Sequence, residues 1–266
     1  MSAPARGWLA FWSRPHKVYV NDRHRRVHYA RLADDILTVL PGPEARVLDF
    51  GCGEALEAER VAARCARLHL CEAAEPVRAE LARRFARHPK IVVLDPDGLA
   101  RLPDGSLDLV VVSSVLQYLS VEELRALLRS WRAKLAPSGL LVLADVLPPE
   151  SSALADALAL LRLAAREGFF LAALAGLASL AFGDYRRLRN ELGLTRWASE
   201  ALLAELARAG LEGERRPTNL GFNPNRATFL ARPRPSAPAG SRGEGPAAVG
   251  EEGPEHDEPG RHELGR

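Results

Sequence analysis

Val47-Leu48-Asp49-Phe50-Gly51-Cys52-Gly53-Glu54-Ala55 is an apolar run that ends in an acid and then breaks into two closely spaced glycines. Further along, a second apolar run, Leu68-His69-Leu70-Cys71, ends at Glu72. Buried parallel strands give this pattern, because each delivers its turn and its carboxylate to one edge of the sheet. Glycines at such an edge let another molecule lie against bare backbone. The two runs together predict an α/β sheet with a ligand site at the ends of its first two strands.

The flanking sequence repeats the alternation. A helix is predicted over 22–40, with Val27, Ile36, Leu37 and Leu40 on one side, stopped by Pro41-Gly42-Pro43. Strand 45–50, helix 54–66, strand 67–72, helix 76–87 and strand 90–94 follow; Pro76 suits a first helical turn, where its missing amide has no partner. Leu107–Ser113 reads as a strand, 121–136 as a helix, and 140–146 as a strand entered through Pro137-Ser138-Gly139. This order predicts a mostly parallel sheet with helices on both faces.

After Pro148-Pro149 an Ala/Leu-rich region, 151–190, carries no strand signal and is broken by Gly168, so it reads as a helical insertion. A helix at 198–209 and strands at 211–216 and 226–231 resume the alternation. The expected division is an N-terminal segment and lid helix (1–40), a domain over 41–232 that contains the insertion, and a tail (233–266). The tail is rich in Pro, Gly and Glu, cannot offset its ordering entropy by burial, and is expected to be disordered.

Of 266 residues, 47% are hydrophobic and 26% charged, which suits one sizeable core with an appendage. A net charge of +2 is too small for the field that draws nucleic acid, so no nucleic-acid partner is expected. Cys52, Cys65 and Cys71 lack the spacing of a disulfide framework or a zinc site. They read as reduced thiols in a cytoplasmic chain without a metal. Trp8-Leu9-Ala10-Phe11-Trp12 is cut short by Ser13-Arg14-Pro15-His16, so export is not expected.

Two familiar uses of a glycine turn do not fit. A hydride-transfer dinucleotide fold wants Gly or Ala where Leu56 stands, and a GxxxxGK[ST] phosphate loop needs a Lys that does not follow. An adenosyl ligand of another kind does fit, and three ordered segments agree on it. Val47–Gly53 resembles the first motif of the class I S-adenosylmethionine-dependent methyltransferases, the small-molecule group with a methyltransferase type 11-like domain. Leu102-Pro103-Asp104-Gly105-Ser106-Leu107-Asp108-Leu109-Val110 is similar to that family's entry to strand four, and Leu135-Ala136-Pro137-Ser138-Gly139-Leu140-Leu141-Val142 to its entry to strand five.

The resemblance covers roughly 45–147, more loosely 198–231. It implies a Rossmann-like, mostly parallel seven-stranded sheet, with the helical insertion over the active-site edge and S-adenosyl-L-methionine as cofactor. By the same resemblance, Gly51, Cys52 and Gly53 would hold the methionine part, with Asp49 orienting its amino group. Glu72 would accept hydrogen bonds from both ribose hydroxyls, and Ala73 would flank the adenine. Asp95 and Asp97 both stand where an acid meets the adenine amino group; Asp97, followed by Gly98, is preferred. Ser113 would lie beside the methionine. The chain departs from the family at Ala55, where a third glycine is usual, and at Gln117 and Tyr118, near which a histidine is common.

Tyr118 and His28 are the candidate catalytic residues, and neither is a clear base; His24, His28 and Tyr29 reach the site if the N-terminal helix acts as a lid. The basic run 14–31 reads first as a solvated helix face. Phe169–Phe182 has fourteen residues, short of the roughly 17 that a membrane span requires, and is flanked by arginines. It reads as a cap over the site, with peripheral membrane contact as the competing use. Either use implies a small, partly apolar acceptor. The sequence therefore predicts a methyltransferase (EC 2.1.1.-); the alternative is a catalytically inactive S-adenosylmethionine-binding protein acting as a partner or membrane-surface module.

Overall fold

The computed structural model describes Leu9, Ser13 and residues 18–182 and 194–235. Most of the N-terminal segment, the 183–190 end of the insertion and the tail beyond 235 lie outside these residues. The apolar runs form seven strands: β1 (Arg46–Phe50), β2 (Arg67–Cys71), β3 (Ile91–Leu94), β4 (Leu107–Ser113), β5 (Leu135–Val146), β6 (Leu211–Arg215) and β7 (Ala227–Pro233). They hydrogen-bond into one sheet in the order β3-β2-β1-β4-β5-β7-β6. The first five pair in parallel, while β7 runs antiparallel to both of its neighbours.

The two-residue period of each strand divides the core into two layers. Leu48, Val110, Val112, Leu141, Leu143 and Phe229 face α5 (Val121–Lys134) and α8 (Ser199–Arg208), whose Leu124, Leu128, Trp131, Leu202 and Leu206 are fully buried. Val47, Leu70, Leu109, Val111 and Val142 face the other way, toward α1 (Asp22–Val39), α2 (Ala58–Ala62) and α3 (Glu75–Arg84), which supply Ala33, Ile36, Val61 and Leu81. A short α4 (Pro96–Ala100) follows β3. The insertion is a helical pair, α6 (Ala153–Glu167) and α7 (Phe170–Phe182), joined where Gly168 takes a left-handed φ of 74°. The pair packs through Leu160, Leu163, Ala164, Phe169 and Ala173.

Several expected boundaries differ: the helix expected over 76–87 ends at Arg84, the strand expected from 140 begins at Leu135, and two further differences have local causes. The helix expected over 54–66 is reduced to α2, because Ala55 turns at φ 41°, the Glu54 carbonyl accepts from the Arg84 guanidinium, and the Ala55 carbonyl is shared between that guanidinium and the Ala58 amide in a tight turn. The helix expected to reach 136 stops at Lys134, since Leu135 already pairs with Leu107.

In sequence order β2 follows β1, yet β4 lies on the other side of β1. The connections leaving β1 and β4 therefore diverge, and a crevice opens at their carboxyl ends.

Candidate active site

The Gly51–Gly53 turn is locked from three directions. The amide of Gly51 donates to the carbonyl of Cys71 at 2.8 Å, so the turn is fixed to the end of β2. Gly51 has φ 71° and Gly53 φ 55°; a Cβ at the first would lie 2.5 Å from Val115 Cγ2, and at the second 2.7 Å from the Tyr29 hydroxyl oxygen. Only glycine supports this bend at low cost. The Glu54 amide donates to that same Tyr29 oxygen at 2.8 Å, and the Glu54 carboxylate meets Arg25 of α1 at 2.8 Å.

Glu72 completes the turn. Its Oε2 accepts from the Gly53 amide at 2.9 Å and its Oε1 from the Ala74 amide at 2.8 Å. A carboxylate has about four lone-pair sites, so each oxygen retains acceptor capacity toward the crevice. Asp49 lies buried behind the turn. Burial, and after it the neighbouring Glu72 charge, push its carboxyl up to about 7. Cys52 and Cys71 flank these acids; burial raises both thiols, Cys71 to about 12, so they stay protonated.

The crevice is a cavity of about 1330 Å3. Gly51, Cys52, Gly53, Glu72, Ala73, Ser113, Tyr118 and His28, all singled out from sequence, line it together. Asp97 and Gly98 do not, and Asp49 stands behind the wall. The reason at 95–98 is local: Asp95 caps α4 by accepting from the Gly98 amide at 2.5 Å, which turns Asp97 outward and leaves Pro96 on the wall. On the N-terminal side, burial lowers both His24 and His28 to about 4, so both imidazoles are neutral. His24 Nδ1 accepts from the Val20 amide at 3.3 Å and its ring stacks on Phe169 with centroids 5.2 Å apart. Tyr19, buried beside Tyr29, is raised to about 12 and stays a phenol.

The opposite wall holds groups the sequence reading missed. Ser114 and Asp145 both have positive φ, 58° and 55°, and Ser114 Oγ donates to Asp145 Oδ2 at 2.6 Å. The pairing of β5 with β7 slips between Leu143 and Val146, and this bulge lets Asp145 line the cavity. Burial raises the Asp145 carboxyl, opposed by Arg226, Ser114 and Asn219. Strained non-glycine residues concentrate at working sites, because the surrounding structure must over-determine them. Gln117 Oε1, Ser151 Oγ and Arg226 Nε also lie buried at this wall without a hydrogen-bond partner among the described residues. Asp145 had a legible signal: it closes the apolar run Leu140–Ala144 as Asp49 closes Val47–Leu48.

Residues 48–143 match the family model described as a methyltransferase domain. This stretch is similar to a methyltransferase domain. The N-methyltransferase NodS from Bradyrhizobium japonicum, solved with S-adenosyl-L-homocysteine (SAH), is 20% identical with a TM-score of 0.51, over 86% of this chain and 97% of that one. DhpI in its SAH complex gives 14% identity and a TM-score of 0.57, over 89% of this chain and all of that one. A phosphoethanolamine N-methyltransferase from Haemonchus contortus, with phosphoethanolamine and SAH, gives 17% and 0.59, over 91% of this chain and 51% of that one. At such identities the likeness is one of fold. A comparison with the curated proteins finds no match. The matched stretch runs from within β1 to within β5 and includes the glycine turn, Glu72 and Ser114.

Proposed function

We propose that the protein is an S-adenosylmethionine-dependent methyltransferase acting on a small, partly apolar acceptor. The observation that carries this reading is Glu72, held by two backbone amides beside a glycine turn that a single Cβ would obstruct. Such a turn suits a ligand lying along the main chain, and the spare lone pairs of Glu72 suit a pair of hydroxyls. Gly51, Cys52, Gly53, Asp49, Glu72, Ala73 and Ser113 would hold the cofactor; Asp97 and Gly98, which do not line the cavity, would contribute only by shaping the turn after β3. When bound, S-adenosylmethionine supplies an electrophilic methyl group on a sulfonium.

The residues of the chain then have to align the acceptor, exclude water and take its proton. Asp145, steadied by Ser114, is the group we assign to the proton: its carboxylate would take the proton given up by the acceptor oxygen or nitrogen, while the methyl group's bond to sulfur would break with the electron pair left on a neutral thioether. Tyr118, His28 and the unpartnered Gln117, Ser151 and Arg226 atoms orient the acceptor. The α1 lid and the α6–α7 cap cover it. The domain division proposed is 1–40, 41–232 and 233–266, with the chain working in the cytoplasm and touching a membrane through 169–182. Calorimetry with S-adenosylmethionine and SAH tests the cofactor reading. Micromolar or tighter binding is expected, and no heat from a folded sample would refute it.

A further inference from the structure

Among the described residues, the exposed large hydrophobic side chains are Leu154, Leu158, Phe170, Leu171 and Leu174, and all five lie on the α6–α7 pair. Scattered exposed leucines need no explanation, but a patch of this kind on one element does. The patch is ordered. On α7, Leu171, Leu174, Ala175 and Ala178 are exposed at the spacing of one helical face, with Leu171 80% and Leu174 51% accessible. On α6, Leu154, Leu158, Arg162 and Arg166 follow at four-residue steps, all exposed, so an apolar half passes into a basic half along one stripe.

The charges are also sorted. The two acids of the pair are tied to the body of the protein: Asp156 meets Arg226 at 2.9 Å and Glu167 meets Arg31 at 3.1 Å. Arg162 and Arg166 keep the outward positions, and the sequence after α7 adds Arg186, Arg187 and Arg189 against Asp184 and Glu191. An apolar face bordered by outward arginines is complementary to a surface of anionic headgroups over hydrocarbon. At 13 residues α7 extends about 20 Å, too short to cross a bilayer, and no helix among the described residues is long and apolar enough to do so. The geometry fits a helix that lies on the membrane.

Leu154 belongs to both regions: it is 71% exposed on the patch and also lines the cavity, next to Ala153, Ala157 and Leu160. The apolar face therefore runs into the cavity mouth. We propose that the outer face of α6–α7 docks on an anionic lipid bilayer, and that an acceptor with an apolar body enters the cavity from there. Docking stands on the patch alone; the entry of an acceptor rests on the methyl-transfer reading.

Flotation of the full chain with vesicles of phosphatidylcholine alone, or mixed with phosphatidylglycerol, tests docking. Binding to the mixed vesicles is expected, weakened by salt. Arg162→Gln/Arg166→Gln should reduce it roughly thirtyfold, two basic residues near an anionic surface being worth about 1 kcal/mol each. Leu171→Ser/Leu174→Ser should abolish it. SAH calorimetry on each variant shows that the fold and cofactor site persist, and separates failure of docking from failure of the methyltransferase reading. Equal recovery of wild type and both variants with the mixed vesicles, or no recovery of wild type, overturns the proposal. So does a wild-type dimer in light scattering that Leu171→Ser/Leu174→Ser dissociates, since the patch would then cover a second copy.

Discussion

The two sides of the cavity are built by opposite means. On the sheet side, the groups that shape the wall are pinned by hydrogen bonds: Glu72 by two amides, the glycine turn by Cys71 and Tyr29, Asp145 by Ser114. On the cap side, the two helices pack through apolar side chains, Asp156 and Glu167 are ion-paired to the body of the protein, and large apolar side chains remain in water. Directional hydrogen bonds within a rigid frame select one ligand geometry, whereas an apolar surface accepts many shapes of similar volume. On the proposed reading, the difference assigns the cofactor to the backbone of the sheet edge and the acceptor to the cap.

If that division holds, changes on the sheet side should separate chemistry from binding. The largest effect is expected at Asp145→Asn. Methyl transfer should fall by about 10² to 10⁴, the usual contribution of a positioned base, with SAH affinity unchanged. Transfer of a deuterated methyl group to a panel of alkyl alcohols, phenols and amines, read by mass spectrometry, checks it. Equal rates for variant and wild type would remove Asp145 from the proton path and blur the contrast between the two sides.

Gly53→Ala tests the turn itself. The new methyl group would meet the Tyr29 hydroxyl at a φ of 55°, so both the Tyr29–Glu54 contact and the bend must yield. A loss of about 1 to 3 kcal/mol in urea denaturation and weakened SAH binding are expected. Normal stability and affinity would mean that the turn is looser than its hydrogen bonds imply.

The smallest effect concerns pH. Asp49 sits at about 7 in the free protein, facing Glu72, Cys52 and Cys71. Pairing with a cofactor amino group would lower it, so binding below that value releases a proton. SAH affinity should therefore rise with pH, by up to about tenfold per unit, and level off above roughly 7. The sign for folding is opposite. A carboxyl raised above its unfolded value favours the folded state at low pH, and that contribution is lost as pH climbs from about 4 to about 7. Asp49→Asn should flatten both trends, and a pH-independent affinity in the wild type would place the amino group elsewhere.

Much of the sheet side was legible in the sequence, because buried parallel strands leave an unambiguous trace of apolar runs closed by glycine or acid. Val47–Gly53 and Leu68–Glu72 identified both loops of the wall, and Gly168 the break between α6 and α7. What escaped was set by tertiary contact. Arg84 takes the Glu54 carbonyl, where a longer helix would have begun, and Asp95 takes the capping role that turns Asp97 away. Asp145 closes an apolar run as Asp49 does, but its exposure to the cavity depends on a bulge against β7, a strand some eighty residues later. Tyr29 reaches the glycine turn only because α1 folds back over it.

The central claim is that the glycine turn and Glu72 grip the two ends of one methyl donor, and a crystal structure with SAH bound tests it most directly. The account predicts both ribose hydroxyls on the Glu72 carboxylate and the homocysteine chain along Gly51–Gly53, with Asp145 facing the empty side of the sulfur. Density for SAH elsewhere in the cavity, or a Glu72 carboxylate with no contact to the ribose, would contradict it.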